Sequence, residues 1–180
     1  DLPKPTFRHK LFQEYKAHRK PSPPELRGQF DIVRNLMQEF KVPIFELEGY
    51  EADDLLGTLC TQAEKTGIKS LILTGDSDTL QLVTPNVNVI MNSGTQKQAT
   101  YDIDGVKDRY GGLGPEYVAQ IKALQGDSSD NIPGVPGIGI KTAAELINKY
   151  KNLDNLLKKA SEIPQNKRRE TLIENKDKAL

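Results

Sequence analysis

Three groups of acidic residues punctuate the chain: Glu51-Ala52-Asp53-Asp54, Asp76-Ser77-Asp78 and Asp127-Ser128-Ser129-Asp130. Carboxylates crowded together repel one another unless a cation neutralises them. Sets of oxygen donors suit hard divalent ions such as Mg²⁺ or Mn²⁺. Two such ions about 3.5–4 Å apart serve an in-line attack on a phosphodiester. His9 and His18 lie away from these groups, among cations, which argues against zinc. Several of these acids also have a plainer use. Asp53 and Asp54 at a helix start complement the macrodipole, and Asp76 or Asp78 suits the cap of a short helix near residue 79. Seven acids recurring after successive elements favour a metal site over a set of unrelated caps.

A second feature lies beside the third acidic group. The run Gly126-Asp127-Ser128-Ser129-Asp130-Asn131-Ile132-Pro133-Gly134-Val135-Pro136-Gly137-Ile138-Gly139-Ile140-Lys141-Thr142-Ala143 reads as a glycine hairpin between two helices. Such a turn aims backbone N–H groups and a helix N-terminus at a phosphate. Glycines allow the close approach that a side chain would block. Contact through the backbone is independent of base sequence. The bland alternative is a Gly/Pro-rich linker.

The elements that must position these groups follow from hydrophobic spacing. Residues 8–20 predict a helix with Leu11, Phe12 and Tyr15 on one face, stopped by Pro21-Ser22-Pro23-Pro24. Helical spacing resumes over 25–40. Residues 42–47 read as a strand and 51–65 as a helix with Gly67 as its C-terminal cap. Ser70–Thr74 is an all-apolar run of the buried parallel type. A short helix near 79–82 and a strand over 87–91 follow, and from about residue 103 the pattern turns to helices at 115–125, 139–150, 152–160 and 165–175. Alternating strands and helices imply an α/β layer with a parallel sheet. The first two acidic groups then fall after strand ends, where open α/β sheets bind ligands, with adjacent strands about 4.8 Å apart.

Composition sets the bounds. The chain has 180 residues, 36% hydrophobic and 28% charged, with 25 basic and 25 acidic side chains. Zero net charge does not exclude nucleic acid, because the charge is unevenly placed. Arg8, Lys10, Lys16, Arg19 and Lys20 lie within thirteen residues that hold one acid, Glu14. No run approaches the ~18 apolar residues of a membrane span. Cys60 is the single cysteine, so no internal disulfide forms; its context reads as a buried helix face, and a reducing cytoplasm is the expected location. No feature signals an oligomer, and a monomer is expected.

At Pro5-Thr6-Phe7-Arg8-His9-Lys10, Tyr15-Lys16-Ala17-His18-Arg19-Lys20, Glu48-Gly49-Tyr50-Glu51-Ala52-Asp53-Asp54, Leu73-Thr74-Gly75-Asp76-Ser77-Asp78 and Lys122-Ala123-Leu124-Gln125-Gly126-Asp127 through Thr142-Ala143, the sequence resembles the 5′ nuclease domains attached to bacterial DNA polymerases of the polymerase I kind, and more widely the flap endonuclease family. The tail from Arg169 to Leu180 resembles the polymerase-linked branch. The resemblance implies a PIN-like α/β nuclease core with a helical arch over residues 1–102. It implies an all-helical helix-three-turn-helix region that grips duplex DNA over 103–180, and a role in replication and repair. It implies two Mg²⁺ ions, with Mn²⁺ able to substitute, and in some members a potassium ion at the hairpin. Carried over by position, the metal acids are Asp1, Glu51, Asp53, Asp54, Asp76, Asp78, Asp127 and Asp130, of which Asp53, Asp76 and Asp78 are also placed in catalysis. Lys16 and Arg19 fall where the family steers the scissile phosphate, with Arg8 and Tyr15 beside them. Gly137, Gly139, Lys141 and Thr142 would hold the duplex backbone. The family begins with a further strand bearing another metal-site Asp, upstream of these residues, so the expectation is that this chain alone is poorly active.

Two other readings stay open. Asp76-Ser77-Asp78-Thr79-Leu80 after an apolar run imitates the D-x-D-x-T motif of haloacid-dehalogenase-like phosphatases, although their late acidic motif follows a buried strand and here residues 117–124 read as helix. The hairpin and basic segment alone would also suit a non-catalytic, structure-specific DNA-binding module. That module would gain nothing from carboxylates beside phosphates.

Overall fold

A computed structural model describes residues 1–92 and 98–179. Leu180, the last residue of the tail that carries the polymerase-linked resemblance, lies outside the described residues. The chain divides into two compact units, Asp1–Leu55 and Leu56–Leu180.

In the first unit α1 (Phe7–Leu11) is followed by turns, then by α2 (Pro24–Glu39), and α3 (Ala52–Lys65) begins here and continues into the second unit. The helix expected over 8–20 therefore ends early. Phe12 is extended, and Lys16 adopts a left-handed backbone with φ of 56°, a conformation that costs a non-glycine residue about 1–2 kcal/mol. Helix α2 lies within one residue of the expected span, with Pro24 in its first turn, where a missing N–H costs nothing. Its apolar residues are present, but Leu26, Phe30, Val33, Leu36 and Phe40 are all exposed. The strand expected over 42–47 is absent. This segment makes no ladder among the described residues, Pro43 offers no N–H, and Val42, Ile44, Phe45 and Leu47 are exposed.

What ties this unit together is polar. The Arg8 guanidinium donates to both oxygens of Asp54, at 2.7 and 2.8 Å. The same carboxylate accepts from the Glu51 N–H at 2.9 Å, and Asp1 accepts from the Ala52 N–H. Two carboxylates thus satisfy N–H groups at the start of α3, where the helix dipole favours negative charge. The hydrogen bonds from Arg8 hold the Asp54 carboxyl below its ordinary pKa.

The second unit carries the hydrophobic core. Strand β1 (Ser70–Thr74) pairs in parallel with β2 (Val87–Asn92), and β3 (Gln98–Tyr101) adds an antiparallel edge. The sheet is therefore mixed. A short return strand needs no crossover helix, and the exposed, polar Gln98-Ala99-Thr100 gave no strand signal. In β1 only Ile72 is buried, while Leu71 and Leu73 are exposed on the other face, so the run is not covered on both sides. Helix α3 packs on the 3-10 helix Ser77–Leu82 through Gly57, where a Cβ would sit 3.2 Å from Leu82, and it buries Cys60 as its context implied.

The helices beyond are α4 (Ile103–Arg109), α5 (Val118–Gln125), α6 (Ile140–Tyr150), α7 (Leu153–Lys158) and α8 (Asn166–Glu174). Val118, Ile121 and Leu124 of α5 are fully buried with Ala143 and Ile147 of α6, Leu156 of α7 and Leu172 of α8. Between α5 and α6 lie two short strands, β4 (Gly126–Asp127) and β5 (Ile132–Pro133), paired antiparallel. The Val135 N–H donates to the Leu124 carbonyl at 2.8 Å. Gly126, with φ of 78°, faces Gly134 so closely that a Cβ on Gly126 would overlap the Gly134 backbone and one on Gly134 would overlap the backbone of Gln125 and Gly126.

Two outcomes follow. Gly134→Ala should cost at least about 3 kcal/mol in denaturant unfolding, because rigid backbone cannot yield as a flexible side chain can. Asp54→Asn should cost roughly 1–2 kcal/mol at neutral pH, a value reduced by the partial exposure of the pair. Because the folded pKa is depressed, this contribution is present above the unfolded value near 4 and lost as pH falls through the folded one. The difference in unfolding free energy between wild type and Asp54→Asn should therefore shrink in acid.

Candidate metal centre and nucleic-acid interface

In the first unit the sequence-derived residues Arg8, Tyr15, Lys16, Glu51 and Asp54 meet. Tyr15 is buried, and its hydroxyl donates to Glu51 Oε2 at 3.0 Å; Lys16 Nζ reaches the same oxygen at 3.0 Å. Arg8 lies 3.9 Å from it. The left-handed turn at Lys16 is what brings Tyr15 and Lys16 to Glu51 from consecutive positions. His9 packs edge-on to Tyr15, 5.2 Å between ring centres, and accepts from the Thr6 N–H, which fixes the start of α1. Asp53 lies in the first turn of α3, and Arg19 lies in the exposed turn that begins at Lys16, its N–H on the Lys16 carbonyl.

In the second unit Asp78, Asp127 and Asp130 each present a carboxylate oxygen within 4.8 Å of the others. The 3-10 helix that follows β1 delivers Asp78. Asp76 caps it, its carboxylate accepting from the Asp78 N–H at 2.9 Å. The end of β4 and the turn that follows it deliver the other two. Asp127 Oδ1 accepts from the N–H and hydroxyl of Ser129, at 2.8 and 2.6 Å, and the Asp130 N–H bonds back to the Asp127 carbonyl.

Lys122 of α5 completes the group. Its ammonium lies 2.8 Å from Asp127 Oδ2 and 2.7 Å from Asp78 Oδ1. The contact with Asp127 is a hydrogen bond. The contact with Asp78 is within ion-pair distance but off the hydrogen-bond direction, so Asp78 Oδ1 is buried without a hydrogen-bond donor. Burial raises the Asp78 pKa, and Lys122 only partly opposes it. Burial also works to raise Asp127, but the bonds from Lys122 and Ser129 outweigh it and bring the carboxyl down to about 2. Burial lowers the Lys122 ammonium less than its two carboxylates raise it, and the net shift is upward. Sequence reading missed Lys122 as a site residue. The available signal was that it is the single charged residue in Tyr117–Gln125.

Oxygen donors alone, one of them buried with no donor of its own, fit a hard divalent cation. Asp78, Asp127 and Asp130 would hold it.

The hairpin forms as expected. Gly137 has φ of 77°, a left-handed conformation that favours glycine, and Gly139 precedes α6 with no side-chain cap. No atom lies within 4 Å of where a Cβ would stand on either. Ile138 is buried between them and anchors the turn. Lys141 is exposed and Thr142 half-buried on the first turn of α6. The hairpin forms one wall of a groove whose other wall is the start of α8, with Asn166, Lys167 and Arg168. Among the described residues no helix is long and apolar enough to cross a membrane.

Comparison with known proteins agrees with this arrangement. Residues 1–111 match the family model of the 5′-3′ exonuclease N-terminal resolvase-like domain, and residues 113–180 match that of the 5′-3′ exonuclease C-terminal SAM fold. The DNA polymerase I of Bacillus caldotenax is 45% identical across 100% of this chain, which spans 20% of that protein. That of Chloroflexus aurantiacus is 46% identical over 93% of the chain and 18% of its own length. The chain thus spans about a fifth of the curated relatives it matches. A bacteriophage T5 flap endonuclease, solved as a pseudo-enzyme–product complex with DNA and metal ions, superposes with a TM-score of 0.81 at 22% identity, over 98% of this chain and 67% of that one. The resolvase-like PIN core and SAM-like helical region agree with the architecture expected from the sequence, and the chain belongs to the 5′-3′ exonuclease family.

Proposed function

We propose that this chain is the nuclease part of a structure-specific 5′ nuclease that hydrolyses DNA phosphodiesters at 5′ flaps and free 5′ ends, in cytoplasmic DNA replication and repair. The observation that carries the reading is the convergence of Asp78, Asp127 and Asp130 within 4.8 Å in a member of the 5′-3′ exonuclease family. The curated relatives are polymerases, which supports a polymerase domain in the same full-length protein. The T5 protein solved with DNA and metal ions supports DNA as substrate.

Divalent ions, two Mg²⁺ or Mn²⁺, would supply an activated water and stabilise the charge on the scissile phosphate and the leaving oxygen. The chain's own residues do the rest. Asp78, Asp127 and Asp130 hold the cation charge in place, with Asp1, Glu51, Asp53, Asp54 and Asp76 as the further acids of the family pattern. Lys16 and Arg19 steer the phosphate, and Arg8 and Tyr15 support them. A basic, aromatic segment of this type suits a single-stranded 5′ end. Gly137, Gly139, Lys141 and Thr142 grip the duplex by its backbone, as the uncapped N-terminus of α6 allows. A potassium ion at the hairpin belongs to the same reading.

The haloacid-dehalogenase alternative loses its basis. The acidic turn at 127–130 follows helix α5 rather than the buried strand that the late motif of that fold follows.

Cleavage of 5′-end-labelled flap DNA by the whole protein, in Mg²⁺ and in EDTA, tests the proposal. Cutting near the junction in Mg²⁺ alone is expected, and Asp78→Asn should lower the rate at least about a hundredfold. Salt-sensitive binding without cutting would favour the DNA-binding module instead. Lys16→Ala should slow the single-turnover chemical step by roughly a hundredfold and change duplex affinity much less; equal losses would remove Lys16 from the chemistry.

A further inference from the structure

Lys122 stands where a metal reading has no need of a lysine. It rises from α5 between Ile121 and Leu124, both fully buried, so its backbone is fixed by the core. Its side chain is 24% exposed. The ammonium lies between Asp78 and Asp127 at 2.7 and 2.8 Å, on the oxygens that backbone and serine donors leave uncovered. Without it, two half-buried carboxylates would face each other with no countercharge, an arrangement that disfavours their ionised forms.

The fit is that of an occupant rather than of a strut. A strut would hydrogen-bond both partners, but the Asp78 side of the bridge lacks hydrogen-bond direction, and Asp78 Oδ1 remains buried and undonated. That oxygen is attracted by charge yet free to accept a better-placed ligand. An ammonium holds oxygens at about 2.8 Å, whereas Mg²⁺ demands about 2.1 Å. A divalent cation therefore draws in the same carboxylates more closely and with twice the charge. Lysine's four-carbon stem lets the ammonium swing away while α5 stays in place.

We infer that Lys122 is a resident cation of this carboxylate site, holding Asp78 and Asp127 in place until a divalent metal displaces it. The inference rests on the metal reading above. In this role Lys122 is a positioning residue. It preserves the arrangement of the acids without metal, and it makes metal binding a competition, so that affinity is weaker than the three carboxylates alone would give.

The test is Mn²⁺ titration by calorimetry of the whole protein as wild type, Lys122→Met and Lys122→Arg, with Asp78→Asn identifying heat from this site. Lys122→Met removes the charge at similar length and should bind Mn²⁺ roughly tenfold more tightly, whereas Lys122→Arg stays near wild type. In EDTA the melting temperature of Lys122→Met should fall, and Mn²⁺ should raise it by more than it raises wild type. A second measurement needs no folded variant. In ¹⁵N-lysine-labelled wild type, the protected Lys122 ammonium signal should be visible in EDTA and vanish on saturation with Mg²⁺. Unchanged or weaker Mn²⁺ binding by folded Lys122→Met would overturn the inference, as would an ammonium signal that persists in saturating Mg²⁺; both would make Lys122 a permanent strut. If folded wild type bound no Mn²⁺ at this site, the metal reading itself would fall, and the inference with it.

Discussion

Carboxylates brought together repel one another, and both units are arranged around neutralising them. In the first unit Glu51 is buried beneath Tyr15 and Lys16, while Arg8 takes both oxygens of Asp54. In the second, Lys122 lies between Asp78 and Asp127. Each acidic group carries a cation supplied by its own chain. That is what allows acids to gather before any metal arrives, since isolated buried charges cost several kcal/mol each.

The precision of the second group depends on a backbone contact rather than on the acids. Gly126 and Gly134 face each other without room for a Cβ, and Val135 bonds back to Leu124. This closure clamps the β4–β5 turn against the end of α5. It fixes Asp127 within reach of Lys122, five residues earlier, a spacing at which an uninterrupted helix would not place the two side chains together. The same turn leads directly into the Gly137–Gly139 hairpin, so one glycine-rich stretch builds both the acidic turn and the proposed duplex grip. The charged site stands on a core of Ile121, Leu124, Val135 and Ile147, which makes its geometry a consequence of packing.

Elements with strong local periodicity were legible in the sequence. Helices α2, α3, α5 and α6 and strands β1 and β2 lie where apolar spacing put them; in α5, α6 and β2 burial pattern and local preference agree, whereas α2 is helical with its apolar residues exposed. Failures came where a distant partner decides. The 8–20 segment has helical spacing, but Lys16 turns left-handed, and its ammonium and the Tyr15 hydroxyl meet on Glu51 more than thirty residues away. Residues 42–47 have strand composition, but a strand exists only by its ladder, and none forms among the described residues. Strand β3 is the reverse case, since pairing with β2 makes a strand from residues with little apolar character. Lys122 was hidden for a related reason: an amphipathic helix tolerates one lysine anywhere on its rim, and only the fold shows that this one points between two acids.

The sequence posed a choice for Asp53, Asp54, Asp76 and Asp78, helix cap or metal ligand, but the two uses are compatible. A carboxylate has two oxygens and about four acceptor sites. Asp76 spends one oxygen on the Asp78 N–H, and Asp127 spends one on Ser129 while its other meets Lys122. The local bond fixes the side chain's rotamer, so the remaining acceptor sites are aimed before any ligand binds. Such orientation lowers the conformational entropy that a site must surrender on binding. Such local bonds therefore leave these acids able to serve as the ligands proposed above. The same logic extends to Lys122, because acids aimed in advance at one point need a countercharge there, and a flexible ammonium can supply it and still give way.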